Sequence, residues 1–465
     1  MSEITRMSAG KIVAAIRSRR LTCAAVMRDF ADRIERLNSR INALVQIDLA
    51  GAMAMAESLD RRLDAGEDTG PLTGVPYAVK DCFNADGFLT THGAAALRGN
   101  RPAMETLHVT RLRAAGAIPV AKTNIPEFCF AADTENALYG RTRNPYALNR
   151  SPGSSSGGSA AALGYDLVAL ADGSDAAGSI RLPAAWCNVC GLKPTAGTVP
   201  VIPPNGRSFD TLHVAGPMAR TVDDLRFAMH VMSGPDPRSP LAPPVAADAF
   251  AEPLGGDLTR VRIALSLSNR SFRIAPAVTD ALSSVTGALE LAGATVVDAD
   301  PGVAFAARQM PVFRARAAAD YAGWAADEHG LELDHHILDL IGQSRRLTGY
   351  EIERAEEIRG RAWDKMAAFF QEYDLICWPA SSAPPFMSDA PDAGATDWGV
   401  VEIANLLNLP GAAVPAGMTP EGLPVGIQFM GPPGADRHVL EAARAVEAIL
   451  KIRESTPAPE TLQSV

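Results

Sequence analysis

The chain has 465 residues and a formal net charge of −10, and its longest basic groups are Arg17, Arg19, Arg20 and the pair Arg345, Arg346. Phosphate backbones need a concentrated basic patch, so a nucleic-acid surface is disfavoured. Hydrophobic residues make up 47% and charged residues 21%, the balance of a globular protein with a large core rather than a disordered chain.

The apolar residues at the N-terminus are interrupted by Lys11, Arg17, Arg19 and Arg20, and no later stretch approaches the roughly twenty apolar residues of a membrane span. The expectation is a cytoplasmic protein without a membrane partner. Cysteines stand at 23, 82, 129, 187, 190 and 377, too scattered for a disulfide framework. Cys187 and Cys190 form a CxxC, but neither a second pair for zinc nor a thioredoxin-like context accompanies them, so they read as buried thiols.

In chain order, residues 8 to 65 show helical periodicity, with Ser8 and Thr22 as caps and Gly66 as a stop. From about 71 the pattern becomes short apolar runs alternating with helices: strand Val75–Val79, helix Glu105–Ala115, strand Ala117–Ala121 and strand Leu167–Ala171. A Pro-rich stretch between Gly234 and Gly256 reads as a surface excursion within one domain, because the same idiom resumes after it in strand Val261–Leu267, helix Ala277–Leu291 and strand Thr295–Val297. Residues 303 to 372 read as mostly helical. Leu375–Trp378, Ala412–Pro415 and Val425–Phe429 read as strands, and Arg437–Ile449 as a last helix. The predicted class is α/β.

Two Gly/Ser clusters stand out. Ser151-Pro152-Gly153-Ser154-Ser155-Ser156-Gly157-Gly158-Ser159 precedes an Ala-rich helix and, taken alone, is also the composition of a flexible loop. Gly173-Ser174-Asp175-Ala176-Ala177-Gly178-Ser179-Ile180-Arg181 follows a predicted strand end, where α/β sheets place their sites. Backbone N–H groups from Ala176 to Ser179 could converge on an oxyanion, which makes Ser179 a candidate nucleophile. A serine needs a base, and no histidine is near either cluster in sequence. Lysine can serve in a dry site, where burial disfavours the ammonium form. Lys80 and Lys122 each end an apolar strand, and the pattern of residues alone does not choose between them. Strand alternation turns Asp81 to the face opposite Lys80.

The combination resembles the amidase signature family. The resemblance rests on Gly74-Val75-Pro76 with Val79-Lys80-Asp81, Lys122-Thr123-Asn124, Gly140-Arg141-Thr142 with Asn144-Pro145, and Ser155-Ser156-Gly157-Gly158-Ser159. It continues through Gly178-Ser179-Ile180-Arg181, Gly191-Leu192-Lys193-Pro194-Thr195, Gly216-Pro217-Met218-Ala219-Arg220-Thr221 and Gly422-Leu423-Pro424-Val425-Gly426-Ile427-Gln428. It covers about residues 8 to 452 and is strongest between 71 and 222.

What the resemblance implies is specific. The fold would be a single large domain over 1–465 with a central mixed, mostly parallel twisted sheet covered by helices on both faces. Residues 1–70 would form a helical wrap, 71–230 the catalytic core, 231–372 a variable substrate-side region, and 373–452 the C-terminal part of the sheet and the last helix. Catalysis would use the base Lys80, the bridging Ser155 after a cis peptide bond, and the nucleophile Ser179. The N–H groups of Ala176, Ala177, Gly178 and Ser179 would form the oxyanion hole, supported by Ser156, Asp175 and Arg181, with Lys122 structural. Phe128, Cys129, Ile180, His213 and Trp378 would line the substrate pocket. The partner would be a small-molecule amide, with no metal or organic cofactor, and a homodimer is compatible. Ser154 and Ala177 stand where the commonest pattern has glycine, which would narrow the pocket.

Two rivals belong beside this reading. Gly153-Ser154-Ser155-Ser156-Gly157 matches the GxSxG elbow of α/β-hydrolases, with His438 as the late histidine, but that motif needs a strand directly before it, and the stretch from Arg141 to Pro152 is polar and holds two prolines. The other rival is the amidase-like component of a tRNA-dependent amidotransferase. Its glutamine-binding acid and arginine would be expected near Trp398 and the His335-His336 pair, so that grip reads as absent.

Overall fold

The computed structural model describes residues 3–202, 209–242, 248–267, 271–390 and 396–462. The N-terminal helices begin where the sequence supplies caps: Ser8 Oγ accepts the Lys11 N–H at 3.3 Å ahead of helix Ala9–Arg17, and Thr22 Oγ1 accepts the Ala25 N–H at 3.0 Å ahead of helix Cys23–Ile41. The second helix stops at Asn42, which takes the left-handed conformation at φ 51° and donates its amide to the carbonyls of Tyr139 and Arg141. Helical periodicity across 8–65 is then overridden. Strand Leu44–Ile47 intervenes before helix Leu49–Asp64, because it gains an antiparallel partner in strand Ile118–Thr123, and sheet pairing outweighs local propensity.

The strands in chain order are β1 (Leu44–Ile47), β2 (Pro76–Lys80), β3 (Ile118–Thr123), β4 (Glu135–Asn136), β5 (Gly140–Arg141), β6 (Leu170–Asp175), β7 (Cys190–Lys193), β8 (Val214–Ala219), β9 (Arg262–Leu265), β10 (Thr295–Val297), β11 (Leu375–Pro379), β12 (Gly411–Met418) and β13 (Pro424–Met430). Eleven of them form one sheet in the order β1-β3-β2-β6-β8-β7-β12-β13-β11-β9-β10, while β4 and β5 pair separately. The result is a single α/β domain with helices against the sheet.

The sheet is mixed, but it corrects the expectation of mostly parallel strands. Parallel pairing is confined to β3-β2-β6 on one side and β11-β9-β10 on the other. Every pairing between β6 and β11 through the centre is antiparallel, as is the edge pair of β1 and β3. The central strands β7 and β8 read CGLK and VAGPMA; their Gly, Pro and Lys are poor strand markers, so the sequence pattern passes over them.

Elsewhere the expected elements recur with shifted ends. The expected helix Ala277–Leu291 is broken into Pro276–Ala281 and Val285–Leu291. The 303–372 region holds helices Met310–Asp327, His335–Arg346 and Gly349–Phe369, the last opened by a capping box between Thr348 and Glu351. The Pro-rich excursion is tied to the body: Arg111 donates to the carbonyls of Met232, Ser233 and Gly234, and Arg437 to those of Ala249, Glu252 and Pro253. Its Pro243 and Pro244 lie outside the described residues. Cys187 and Cys190 are buried free thiols. Among the described residues no helix is long and apolar enough to cross a membrane.

Candidate active site

Lys80 closes β2 at the centre of the parallel side of the sheet and is fully buried. Its backbone N–H donates to Asp172 Oδ1 at 2.6 Å; the same carboxylate accepts the Tyr77 hydroxyl and lies 3.0 Å from His108 Nε2. Asp172, on neighbouring β6, therefore fixes where the lysine leaves the sheet. The amine Nζ lies 2.7 Å from Ser155 Oγ, 2.8 Å from Ser156 Oγ and 2.8 Å from Ser174 Oγ. Among the described residues no carboxylate comes within ion-pair distance of it.

Lys122, the rival on sequence pattern, differs on this point. Its Nζ lies 3.3 Å from Asp81 Oδ1 and donates to the Phe83 carbonyl at 2.7 Å and the Leu89 carbonyl at 3.2 Å. Burial lowers its pKa, and the Asp81 charge and hydrogen bond oppose that. Asp81 faces away from Lys80, as strand alternation predicts, and spends its remaining capacity on Thr91 and the Gly93 N–H.

The Ser/Gly run is ordered. Asn144 donates to the carbonyls of Ser151 and Trp186, Thr134 Oγ1 donates to the Gly153 carbonyl at 2.7 Å, and the Ser154–Ser155 peptide is cis. The hydroxyl of Ser154 donates to the Ala131 carbonyl at 2.5 Å, so this serine in a usual glycine place finds a partner. Helix Gly157–Gly164 follows and packs so tightly on β3 that a Cβ at Gly158 would lie 2.5 Å from the Asn124 backbone. No strand leads directly into the run, since β5 ends at Arg141, and His438 is exposed on helix Asp436–Leu450, which leaves the GxSxG elbow without its context.

The second cluster is clamped by a buried ion pair. Arg181 and Asp175 are both fully buried, with Nη2 to Oδ1 at 3.0 Å and Nε to Oδ2 at 3.1 Å. Arg181 also donates to Gln428 Oε1 and Asn405 Oδ1, each at 2.6 Å. Burial alone would raise the Asp175 pKa, but the charge and hydrogen bonds of Arg181, with the charge of Lys193, hold it well below the carboxylate range. Asp175 Oδ1 accepts the Gly178 N–H at 2.8 Å and Oδ2 the Ile180 N–H at 3.1 Å. Gly178 has φ +94°, and a Cβ there would meet Val401 at 2.4 Å, so only glycine fits the turn. The N–H groups of Ala176, Ala177 and Ser179 have no acceptor among the described residues. The two clusters meet where the Ser156 N–H donates to the Ser179 carbonyl at 3.2 Å.

Ser155, Ser174, Ala176, Ala177 and Ser179 line one cavity, whose empty space is about 760 Å³ including its open mouth. Of the pocket residues expected from sequence, Cys129 and His213 reach this wall. His213 Nδ1 lies 2.9 Å from Asp210 and its ring stacks on Tyr321 at 5.3 Å; burial lowers its pKa, but the Asp210 hydrogen bond and charge prevail and raise it. Cys129 is lowered to about 5, chiefly by its hydrogen bond with Cys82.

Phe128, Ile180 and Trp378 are instead fully buried and off the cavity wall. Phe128 stacks on His92 at 5.2 Å, Trp378 packs on Phe272 at 5.7 Å, and the Ile180 side chain fills the space beside Gly173 and Gly191. Large apolar groups in a strand or at a helix start are drawn into the core. Sequence reasoning missed Asp172 and Ser174, which hold Lys80, and also Arg314 and Glu402, which line the cavity from helices Met310–Asp327 and Gly399–Leu406. Helical spacing could have flagged them, because Met310, Arg314 and Ala317 share a face, as do Trp398 and Glu402.

The family model described as Amidase matches residues 25–440. An acylamidase from Rhodococcus erythropolis is 35% identical over 97% of this chain and 97% of its own length. A glutamyl-tRNA(Gln) amidotransferase subunit from Thermosynechococcus vestitus is 33% identical over 93% of this chain and 94% of its own. The crystal structure of a bacterial aryl acylamidase of the amidase signature enzymes superposes with a TM-score of 0.91 at 27% identity, covering 98% of this chain and 99% of that one.

Proposed function

Because the chain belongs to the amidase family and so is an amide-hydrolysing enzyme, we propose that it cleaves the C–N bond of a small-molecule carboxylic amide with Ser179 as nucleophile, Ser155 as proton bridge and Lys80 as base. The observation that carries this reading is a buried amine 2.7 Å from Ser155 Oγ with hydroxyl neighbours and no described carboxylate within ion-pair distance. Lys122, paired with Asp81, is the structural lysine.

Each step balances its protons. The Lys80 amine takes the Ser155 proton while Ser155 takes that of Ser179, whose oxygen attacks the amide carbon. The resulting oxyanion accepts from the free N–H groups of Ala176, Ala177 and Ser179. Gly178, which sequence reasoning counted with these donors, already gives its N–H to Asp175, so it shapes the loop. Return of the proton through Ser155 releases ammonia or an amine, and water cleaves the acyl-Ser179 ester by the same relay. Ser156, Asp175 and Arg181 support the geometry. All these residues come from one chain, and residues 231–372 contribute the substrate-side wall.

A panel of aliphatic, aryl and peptidyl amides, ureides and esters tests the reading. Hydrolysis of one class by the wild type, with an acyl adduct on Ser179 and loss of turnover in Ser179→Ala, is the expected result. Full turnover by Ser179→Ala overturns it. The amidotransferase reading draws on the related amidotransferase chains and on an acid and an arginine in the cavity, Glu402 and Arg314, at positions other than those considered from sequence. Ammonia release from glutamine faster than from uncharged amides would favour it.

A further inference from the structure

Arg314 and Glu402 line the same cavity as Ser155 and Ser179, and the side chain of neither makes a hydrogen bond or a direct ion pair with any described residue. Two opposite charges on one wall would ordinarily close on each other. Here they are close enough for each to feel the other's field, yet no ion pair forms between them and both line the cavity. Burial pushes the Glu402 carboxyl up to about 7, Arg314 pulls it down and Asp397 pushes it up; burial likewise lowers Arg314, and the charge of Glu402 raises it. Asp397 is spent on the Arg273 and Gly399 N–H groups. The other titratable neighbour, His336, is exposed.

Resting on the amidase reading, we propose that Arg314 and Glu402 form a specificity subsite for a second amide at the far end of the substrate, its carbonyl accepting from Arg314 and its N–H donating to Glu402. A carboxylate end would satisfy Arg314 but face the Glu402 carboxyl. An ammonium end would satisfy Glu402 but face the guanidinium. A zwitterion would satisfy both at the cost of stripping water from two full charges, whereas a neutral amide offers acceptor and donor together with far less desolvation. The preferred substrates are therefore diamides.

The test compares dicarboxamides from succinamide to pimelamide with monoamides of the same chain length, after correction for two equivalent ends. Hydrogen bonds to charged groups predict a KM lower by about tenfold to hundredfold for the best-fitting diamide. In Arg314→Met and Glu402→Leu that ratio collapses toward one, with the loss in KM rather than kcat, and Arg314→Lys restores part of it. Arg316→Met, on the same helix but paired with Glu356, keeps the ratio.

The proposal is overturned by three results: no diamide preference at any length, a variant that weakens both substrates equally, or a carboxylate-, ammonium- or amino-acid-ended amide that outcompetes the diamide. If the wild type hydrolyses neither these compounds nor any member of the wider amide panel, the amidase reading has failed. Calorimetry of the diamides then still decides the subsite: binding at least tenfold weaker in Arg314→Met supports it, and equal binding refutes it.

Discussion

Replacing each of the two buried lysines by methionine separates chemistry from stability. In Lys122→Met the Asp81 carboxylate stays buried without its cation, and the carbonyls of Phe83 and Leu89 lose a donor. Breaking a buried pair from one side costs about 3–5 kcal/mol, roughly a fifth or more of the 5–15 kcal/mol that holds a typical domain. In Lys80→Met no described carboxylate is stranded, and the hydroxyls of Ser155, Ser156 and Ser174 can rotate toward one another. Its cost should be about 1–2 kcal/mol, while loss of the proposed base should lower kcat/KM by at least about a hundredfold. Urea titration and steady-state kinetics on both variants read the two quantities separately. The reasoning fails if Lys80→Met turns over substrate normally, or if Lys122→Met abolishes turnover at wild-type stability.

Gly178→Ala places a methyl 2.4 Å from Val401 and forces a side chain to φ +94°; kcat should fall tenfold or more, and Val401→Ala should restore only part because the backbone conformation remains, so full recovery in the double variant would count against the backbone argument. Cys129 lines the cavity with its thiol lowered to about 5, while the other cysteines are buried; iodoacetamide near neutral pH should modify Cys129 alone and block turnover, and mass spectrometry finding another site first would contradict this. Burial raises Glu447 from 4.5 to about 7. Its contribution to stability is thus fully present below about pH 4.5 and is lost as pH rises toward 7. Glu447→Gln should therefore gain on the wild type across that interval by on the order of 3 kcal/mol, and a flat difference in denaturation free energy would refute the assignment.

How much could be read without coordinates follows from where each signal lies. The Ser8 and Thr22 caps, the strand ending at Lys80 and helix Asp436–Leu450 are local, carried by a cap oxygen or by hydrophobic period, and they reappear with small shifts, although two short helices follow the one expected to be the last. The strands β7 and β8 are not local: Gly191, Pro217 and their neighbours pair because the sheet surrounds them, and no short-range pattern announces it. The same divide runs through the site. Lys80 and Ser155, now in contact, and Ser179, on the same cavity wall, were legible from motifs near one another in the first half of the chain. Arg314 and Glu402 sit 88 positions apart on two helices and acquire meaning only when both face one cavity. Phe128 and Trp378 illustrate the reverse error, since an aromatic beside a motif suits a pocket and a core equally well until packing decides.

The antiparallel centre of the sheet explains why a reaction assigned to residues between 80 and 181 needs the whole chain. The turn that carries Ser179 is held by Asp175 and Arg181, and a buried guanidinium has more donors than one carboxylate can satisfy. The remaining donors go to Gln428, on β13, and to Asn405, on helix Gly399–Leu406, whose amide in turn donates to the Asp175 carbonyl at 3.0 Å. Gln428 arrives there because β12 and β13 pair antiparallel and β12 lies directly against β7; with parallel strands in that place the connection would need a crossover before it could return. The helix that brings Asn405 also presents Glu402 to the cavity and Val401 to Gly178. One short helix thus sets the shape of the Ser179 turn and supplies half of the charge pair lining the cavity, so on the proposed mechanism changes of specificity at Glu402 and changes of turnover at Ser179 should be coupled through it.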